Sequence, residues 1–354
     1  MSVNRANGKE TVMRIALDAM GSDRFPHPDV EGAVAAAREF GEEIYLIGDE
    51  QVVLPVLEKM HPGNLPIHVI HAPEMLTMEE KGLSLALKAK QKDPKNPMAI
   101  GVDLVKQGKA DAFVTMGNTG AAAAVAFFRL GMLSGIERPA LAPVFPTRKG
   151  FCVVVDIGIN PDIQPKNLLE FAIMGSLYAE AVRGVERPRV ALLSNGEETG
   201  KGNFLVREAT PLLADSPLHF IGNAEPKEVY AGDVDVLVTD GFSGNVFLKS
   251  SEAVAKLIIE TMKEKIMGGP LPVKIGGLLV KPALSGVRKL LDPSEEGAAP
   301  LLGVNGLVFI GHGRSDALAV QNAVRIAGNA ARSGMQERIR SEISAYAGKK
   351  PEGK

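Results

Sequence analysis

Apolar residues along the chain fall into short continuous runs, separated by longer stretches in which they recur every three to four positions. The short runs lie at residues 14–18, 44–48, 67–71, 112–116, 140–145, 151–156, 189–194, 218–222, 234–239 and 306–310, and they predict strands. Several, such as VALLS and DVLVT, are apolar without alternation, as expected of strands covered on both faces. The stretches at 28–40, 98–107, 119–130, 168–182, 204–214, 243–267 and 315–333 predict helices. Strands alternating with helices predict an α/β fold built on a doubly wound, mostly parallel, Rossmann-like sheet with helices on both faces. No fixed-period repeat, low-complexity block or linker rich in Gly, Pro or Ser divides the chain. Residues 13–334 therefore read as one α/β domain, after a disordered extension at 1–12 and before a helix end and charged tail at 335–354.

One segment breaks the alternation. Residues 267–291, MGGPLPVKIGGLLVKPALSGVRKLL, are apolar and punctuated by Gly and Pro, and they follow the longest predicted helix, which reads as a helical hairpin or protruding arm. From Glu260 to Leu291, Lys263, Lys265, Lys274, Lys281, Arg288 and Lys289 face only Glu260 and Glu264. The arm is either a packing element between copies of the chain or a surface for an acidic protein or anionic lipid.

Composition narrows the partners. The 354 residues are 45% hydrophobic and 23% charged, which is ordinary for a globular chain. Forty Lys and Arg against 42 Asp and Glu leave a net charge of −2, so no cationic field holds a nucleic acid. Aromatic residues are 5% with no Trp, which removes the stacking platforms of a single-strand binder. The one cysteine, Cys152 in FCVVVD, can form neither an intrachain disulfide nor a Cys-based zinc site; it predicts a buried thiol and fits a reducing cytoplasm. The N-terminal residues lack the apolar stretch of a signal peptide, and nowhere do about 18 uncharged apolar residues run together, so neither secretion by that route nor membrane spanning is expected.

Ligands of open α/β sheets bind beyond the carboxyl ends of the strands. The polar, glycine-rich stretches in those places are DAMGSD (18–23), MGNTG (116–120), DIGIN (156–160), SNGEETGKGN (194–203), TDGFSGN (239–245) and GHG (311–313). Glycine permits close backbone approach and a helix start offers free amides, which together imply a phosphate or carboxylate ligand. In GNTG, the amides near Gly117, Asn118, Thr119 and Gly120 can point at an anion, although Asn and Thr are also common helix caps. Lys201, between two glycines and followed by Asn203, suits an ammonium placed on a phosphate or a developing oxyanion; the alternative is a solvated loop lysine. TDGFSGN joins Asp240 and Gly241 to Asn245, whose amide can reach a carbonyl oxygen unless Asn245 or Ser243 merely caps the helix. No Walker, GxGxxG or GxSxG sequence occurs. His68 and His71, three apart on a predicted strand, face opposite ways and make a poor metal pair, and His312 in GHG is a candidate site residue. No metal site is expected.

These loops resemble the PlsX family, the bacterial acyl-acyl-carrier-protein:phosphate acyltransferases of phospholipid synthesis. The similarity runs in order through IALDAMGSD, GNTGA, ERPALAP, FPT, DIGIN, FAIMGSLYA, KGN, FIGNAE, TDGFSGNVFLK, GAAPLLGV and HGRSDALA, over roughly residues 13 to 330. Ser22 stands where the family has a second Gly, Ile159 where it has Ala, and Lys95, Asn96, Pro97 and Met98 where it has a Ser-Ser-Met run.

The resemblance implies transfer of a long-chain acyl group from acyl carrier protein to inorganic phosphate, with no cofactor, on a fold akin to phosphotransacetylases and isocitrate- or isopropylmalate-type dehydrogenases. It implies a cytoplasmic homodimer that touches the membrane peripherally and passes acyl phosphate to a membrane acyltransferase. Carried onto this chain, it makes Lys201 and Asn245 the catalytic candidates. Asp18, Gly21, Gly117, Asn118, Thr119, Gly120, Asp156, Asn160, Asn203, Asp240, Gly241 and His312 shape the substrate pocket, with Asp156 and Asp240 ordering its loops. The competing readings are a phosphotransacetylase-like enzyme using acyl-coenzyme A, a metal- and nicotinamide-dependent dehydrogenase and a non-catalytic membrane scaffold.

Overall fold

The computed structural model describes residues 11–76, 82–290 and 292–347. Most of the extension expected at 1–12, and the end of the charged tail at 348–354, lie outside the described residues. The chain begins β1 (Arg14–Asp18), α1 (His27–Phe40), β2 (Glu43–Gly48), α2 (Glu50–Lys59), β3 (Ile67–His71), α3 (Gly82–Ala89), α4 (Pro97–Lys106), β4 (Ala112–Thr115) and α5 (Thr119–Leu130). It continues through β5 (Ala140–Leu141), β6 (Val144–Thr147), β7 (Gly150–Val155), α6 (Pro165–Arg183), β8 (Arg189–Leu193), α7 (Phe204–Ala214), β9 (His219–Ala224), α8 (Pro226–Ala231) and β10 (Val236–Val238). Then come α9 (Gly241–Gly268), α10 (Leu271–Leu290), β11 (Ala298–Leu302), β12 (Val308–Gly311), α11 (Ala317–Arg332) and α12 (Met335–Ala347).

The chain forms two compact units. The first comprises the residues up to Leu130 together with Gly306–Gln336, and the second Gly131–Asn305 together with the residues from Glu337 on. The chain passes between them without a stretch of linker composition: the crossings at 130–131 and 305–306 fall in short connections beside regular structure, and the one at 336–337 falls inside α12.

In the first unit β3, β2, β1, β4 and β12 lie side by side in that order, all parallel. Helices α1 and α11 pack on each other and against the sheet, as do α4 and α5. Ile15, Ala16, Leu17, Phe113 and Val114 are fully buried, as their unbroken apolar run requires. His68 and His71 on the edge strand β3 part company: His68 stacks on Tyr45 and meets Glu43 at 3.2 Å, whereas His71 lies beside Asp49.

In the second unit the order is β6-β7-β10-β8-β9, with β7, β10, β8 and β9 parallel and β6 an antiparallel edge. Cys152 is buried among Phe145, Val154, Leu237 and Phe247, and burial pushes its thiol pKa up. The single strand expected at 140–145 is two strands. Leu141 and Ala140 pair with β11, and from Val144 the chain pairs with β7. The change falls at Ala142-Pro143, where proline has no N–H to continue a ladder and its carbonyl instead accepts from Val154 N at 3.0 Å. Strand β11 is absent from the sequence-based expectations because AAPLL contains a proline and no β-branched residue.

The segment that broke the alternation is a helical hairpin. Helix α9 ends at Gly268, Pro270 starts the turn, and α10 packs back on α9, with Gly277 so close to Ile266 that a Cβ there would lie 2.3 Å from its Cγ2.

Candidate active site

The carboxyl ends of neighbouring strands gather the polar loops within each unit. In the first unit these are the ends of β1, β4 and β12. Asp18 closes β1, is 3% exposed, and accepts hydrogen bonds from Met20 N at 3.0 Å and Thr115 Oγ1 at 2.8 Å. Thr115 Oγ1 in turn accepts from Gly117 N at 3.0 Å, so one hydroxyl ties the first loop to the GNTG loop. Gly21 lets them touch: a Cβ there would stand 2.9 Å from the amide nitrogens of both Met116 and Gly117. Asn118 Oδ1 accepts from Ala121 N at 2.9 Å and so caps α5, whose first residues are Thr119 and Gly120. The GHG loop joins the group through Asp23 N, which donates to Gly313 O at 2.6 Å, and His312 is exposed in the turn before α11.

Two carboxyls lie beneath this loop. Asp29, in the first turn of α1, is fully buried and accepts from Ser22 Oγ at 2.5 Å, while its Oδ1 has no hydrogen-bond partner among the described residues. Burial, with the charge of Asp18 adding to it, pushes Asp29 up to about 7, and burial pushes Asp18 up to about 6. Ser22 is thus tied to a buried acid, and the departure at Asn96 is also structural: its Oδ1 caps α4 by accepting from Ala99 N at 2.9 Å.

In the second unit the parallel strands β7, β10 and β8 present DIGIN, TDGFSGN and SNGEETGKGN. Asp156 accepts from five donors: the amides of Leu141, Ile157, Ile159 and Asn160 at 2.7 to 3.1 Å, and Asn160 Nδ2 at 3.0 Å. Burial raises its pKa while those donors lower it. Asn160 also donates to Pro139 O at 2.6 Å. The DIGIN loop is locked against the start of α9: Gly241 N donates to Asn160 O at 2.8 Å, and a Cβ on Gly244 would lie 2.0 Å from Asp156 O. Asp240 caps α9, accepting from Ser243 N at 2.8 Å and Ser243 Oγ at 2.7 Å. Asn203 caps α7 through Val206 N at 3.0 Å.

Lys201 and Asn245 differ from these. Lys201 is exposed, its ammonium makes no ion pair among the described residues, and Gly202 after it is held by Asn195 Oδ1 at 3.0 Å. Asn245 does not cap α9. It lies one turn further on, is held by the burial of Phe247 in a stack on Phe145, and its amide makes no hydrogen bond among the described residues. Its neighbour is Gly158, at φ +142°; a Cβ there would stand 3.6 Å from Asn245 Nδ2, in the space beside the amide.

Asp18, Gly21, Gly117, Asn118, Thr119, Gly120 and His312 therefore gather in the first unit, and Asp156, Asn160, Lys201, Asn203, Asp240, Gly241 and Asn245 belong to the second. Sequence reasoning passed over Thr115, Asp29 and Asn223. Thr115 was legible as the polar residue that closes an apolar strand just before GNTG. Asp29 was not, because one acid in a helix start looks like an ordinary dipole partner. Asn223 Nδ2 donates to Glu198 O and Lys201 O, both at 3.4 Å, from a strand position 25 and 22 residues further along the chain.

Residues 13–338 match the family described as fatty acid synthesis protein. The chain is 43% identical over 334 residues to a phosphate acyltransferase of Acidobacterium capsulatum, covering 94% of this chain and 98% of the relative. It is 45% identical over 318 residues to a phosphate acyltransferase of Aquifex aeolicus, covering 90% and 93%. In fold it is similar to the EutD phosphotransacetylase of Staphylococcus aureus, with TM-score 0.58 and 18% identity over 90% of this chain and 94% of that one. It is also similar to a 4-hydroxythreonine-4-phosphate dehydrogenase from Salmonella typhimurium, with TM-score 0.52 and 14% identity over 90% and 99%.

Proposed function

The chain belongs to the fatty acid synthesis protein family, and from that premise we propose that it moves a long-chain acyl group from acyl-acyl carrier protein to inorganic phosphate, giving an acyl phosphate for phospholipid synthesis. It is a phosphate acyltransferase, as its curated relatives are. The observation that carries the assignment of roles is the contrast in the second unit. Asp156, Asn160, Asn203 and Asp240 are spent on protein contacts, whereas the side chains of Lys201 and Asn245 make no hydrogen bond or ion pair among the described residues.

Phosphate is itself the nucleophile, so the reaction needs no activated Ser or Cys, and the buried Cys152 offers none. A phosphate oxygen attacks the thioester carbonyl, and its electron pair forms the new C–O bond. The carbonyl becomes a tetrahedral oxyanion, which Asn245 Nδ2 and the Lys201 ammonium are suited to hold. Collapse breaks the C–S bond, and the pair leaves on the carrier's sulfur, which takes up, through solvent, the proton that hydrogen phosphate gives up on becoming the acyl phosphate dianion. In the first unit the amides at the start of α5 and the Gly21–Gly117 approach suit an anion such as phosphate. Asp18, pushed up to about 6, stays out of contact with such an anion by spending both oxygens on Met20 and Thr115.

The assay uses palmitoyl-acyl carrier protein with and without phosphate, trapping acyl phosphate as the hydroxamate. Phosphate-dependent hydroxamate supports the reading. Product only from palmitoyl-coenzyme A would replace the carrier protein as donor, and no product from either would leave the scaffold reading.

No helix among the described residues is long and apolar enough to cross a membrane. The proposal places the protein as a homodimer in the cytoplasm, touching the membrane and its acyltransferase peripherally. The hairpin supports this, since Leu257, Met267, Leu271, Leu278 and Leu279 are each more than 60% exposed beside Lys263, Lys265, Lys274 and Lys281.

A further inference from the structure

We propose that Lys227 is a positioning residue for the loop that carries Lys201, acting through Glu197; the inference rests on the role given to Lys201 above. The loop at 194–203 holds three glycines, Gly196, Gly200 and Gly202, and the last two have φ near +95°, so its backbone has little stiffness of its own. Its start is tied to β9 by Ser194 N, which donates to Ala224 O at 2.9 Å, whereas the bonds from Asn223 Nδ2 to Glu198 O and Lys201 O are 3.4 Å long. Its far end is tied to α7 by Arg207 Nη1, which donates to Gly202 O at 2.7 Å, and the ion pair that holds its middle is Glu197 with Lys227 Nζ at 2.8 Å.

Lys227 is well placed to hold it. It sits in the first turn of α8, and its ammonium also meets Glu225 at 3.1 Å and Glu228 at 3.4 Å. Glu228 is itself fixed, because its other oxygen accepts from Glu225 N at 2.8 Å in a reciprocal cap. Among the described residues Lys227 is the one cation in contact with these three carboxylates, and it holds the Glu197 carboxyl below the usual carboxylate range.

From Glu197 the effect reaches Lys201 directly. The adjacent Gly196 lies against the lysine stem: a Cβ on Gly196 would stand 2.9 Å from Lys201 Cγ. Fixing Glu197 therefore fixes the surface on which the Lys201 side chain rests. It also occupies a carboxylate four residues from Lys201 that, once released, would pair with the Lys201 ammonium and draw it away from the reacting oxygen. Lys227 and Glu197 are both exposed, and an exposed pair adds little to global stability, so the predicted effect is on rate and not on folding.

The test measures acyl phosphate formation and thermal unfolding for K227M, K227R, E197Q, K227M/E197Q, K201A and K201A/K227M. Misplacing one group that stabilises the transition state is expected to lower the K227M kcat about tenfold with Tm unchanged. K227R should keep most of the rate. K227M/E197Q should be faster than K227M, because the competing carboxylate is gone. In the K201A background K227M should cost nothing further. Wild-type turnover of K227M beside a slow K201A overturns the positioning role alone. A full K227M loss that persists in K201A overturns it as well, since Lys227 would then act through another group. Wild-type turnover of K201A instead overturns the role of Lys201 on which the inference rests. Should K227M fail to fold, K227R and E197Q, which keep the charge or the size of the pair, decide the same question.

Discussion

At residue scale the chain separates polar groups that serve the fold from groups left to serve a ligand. Lys201, exposed and without an ion pair among the described residues, is proposed to be of the second kind, and K201A should then lower turnover about 10²–10³-fold, the usual loss for an oxyanion partner, with the circular dichroism spectrum unchanged. Asp29 belongs to the first kind and has a pH signature. Its folded pKa of about 7 lies above the ordinary 3.8, so the folded chain holds the proton more tightly than the unfolded chain does. The stabilisation is complete below pH 4 and is lost as pH rises through 7. Each tenfold change in proton affinity is about 1.4 kcal/mol, so the loss is on the order of a few kcal/mol. Tm measured from pH 5 to pH 8 should fall for the wild-type chain, and D29N should lose most of that dependence.

At the scale of elements, the helix starts do the positioning. Asp240 caps α9 with both oxygens, and Asn245 sits one turn on, so D240A removes the cap and loosens the helix start that aims the amide. Urea unfolding should show a loss of about 1 kcal/mol. Turnover should fall by more than that loss of stability explains. The hairpin makes a different prediction. Reversing Lys281, Arg288 and Lys289 to Glu should weaken binding to acyl carrier protein or to anionic vesicles at low ionic strength, with the difference fading as salt screens it. Unchanged affinity for both would reduce the hairpin to a packing element. Its helical nature was legible from GGP and the apolar spacing, whereas the closeness of Gly277 to Ile266 was not, since a glycine in sequence says nothing of what it faces.

At the scale of the molecule, the first unit is assembled from two distant pieces of chain. Strand β12 lies beside β4, and α11 packs on α1, where a Cβ on Gly32 would stand 2.4 Å from Val320 Cβ. A fragment ending at Leu130 therefore exposes one edge of β4 and the apolar face of α1. It should show no cooperative transition in urea, and the intact chain should. Sequence reading took the chain as one α/β domain because division by linker composition was the available signal, and the two units are joined by short connections and by α12, none of which carries it.

The alternation of strands and helices, the polar loops as candidate anion sites and Lys201 and Asn245 as candidates were legible from the sequence. They depend on local periods, on glycine at strand ends and on short motifs, which are properties of neighbours along the chain. The division of labour among the polar residues came only with the tertiary structure. Whether Asn118, Asn203 and Asp240 cap helices while Asn245 stays open depends on which residue lands at the helix start, a matter of one or two positions that periodicity does not resolve. The links from Thr115 to Asp18, from Ser22 to Asp29 and from Lys227 to Glu197 join groups brought together by strand order and loop packing, and a contact between distant segments leaves no local trace in either.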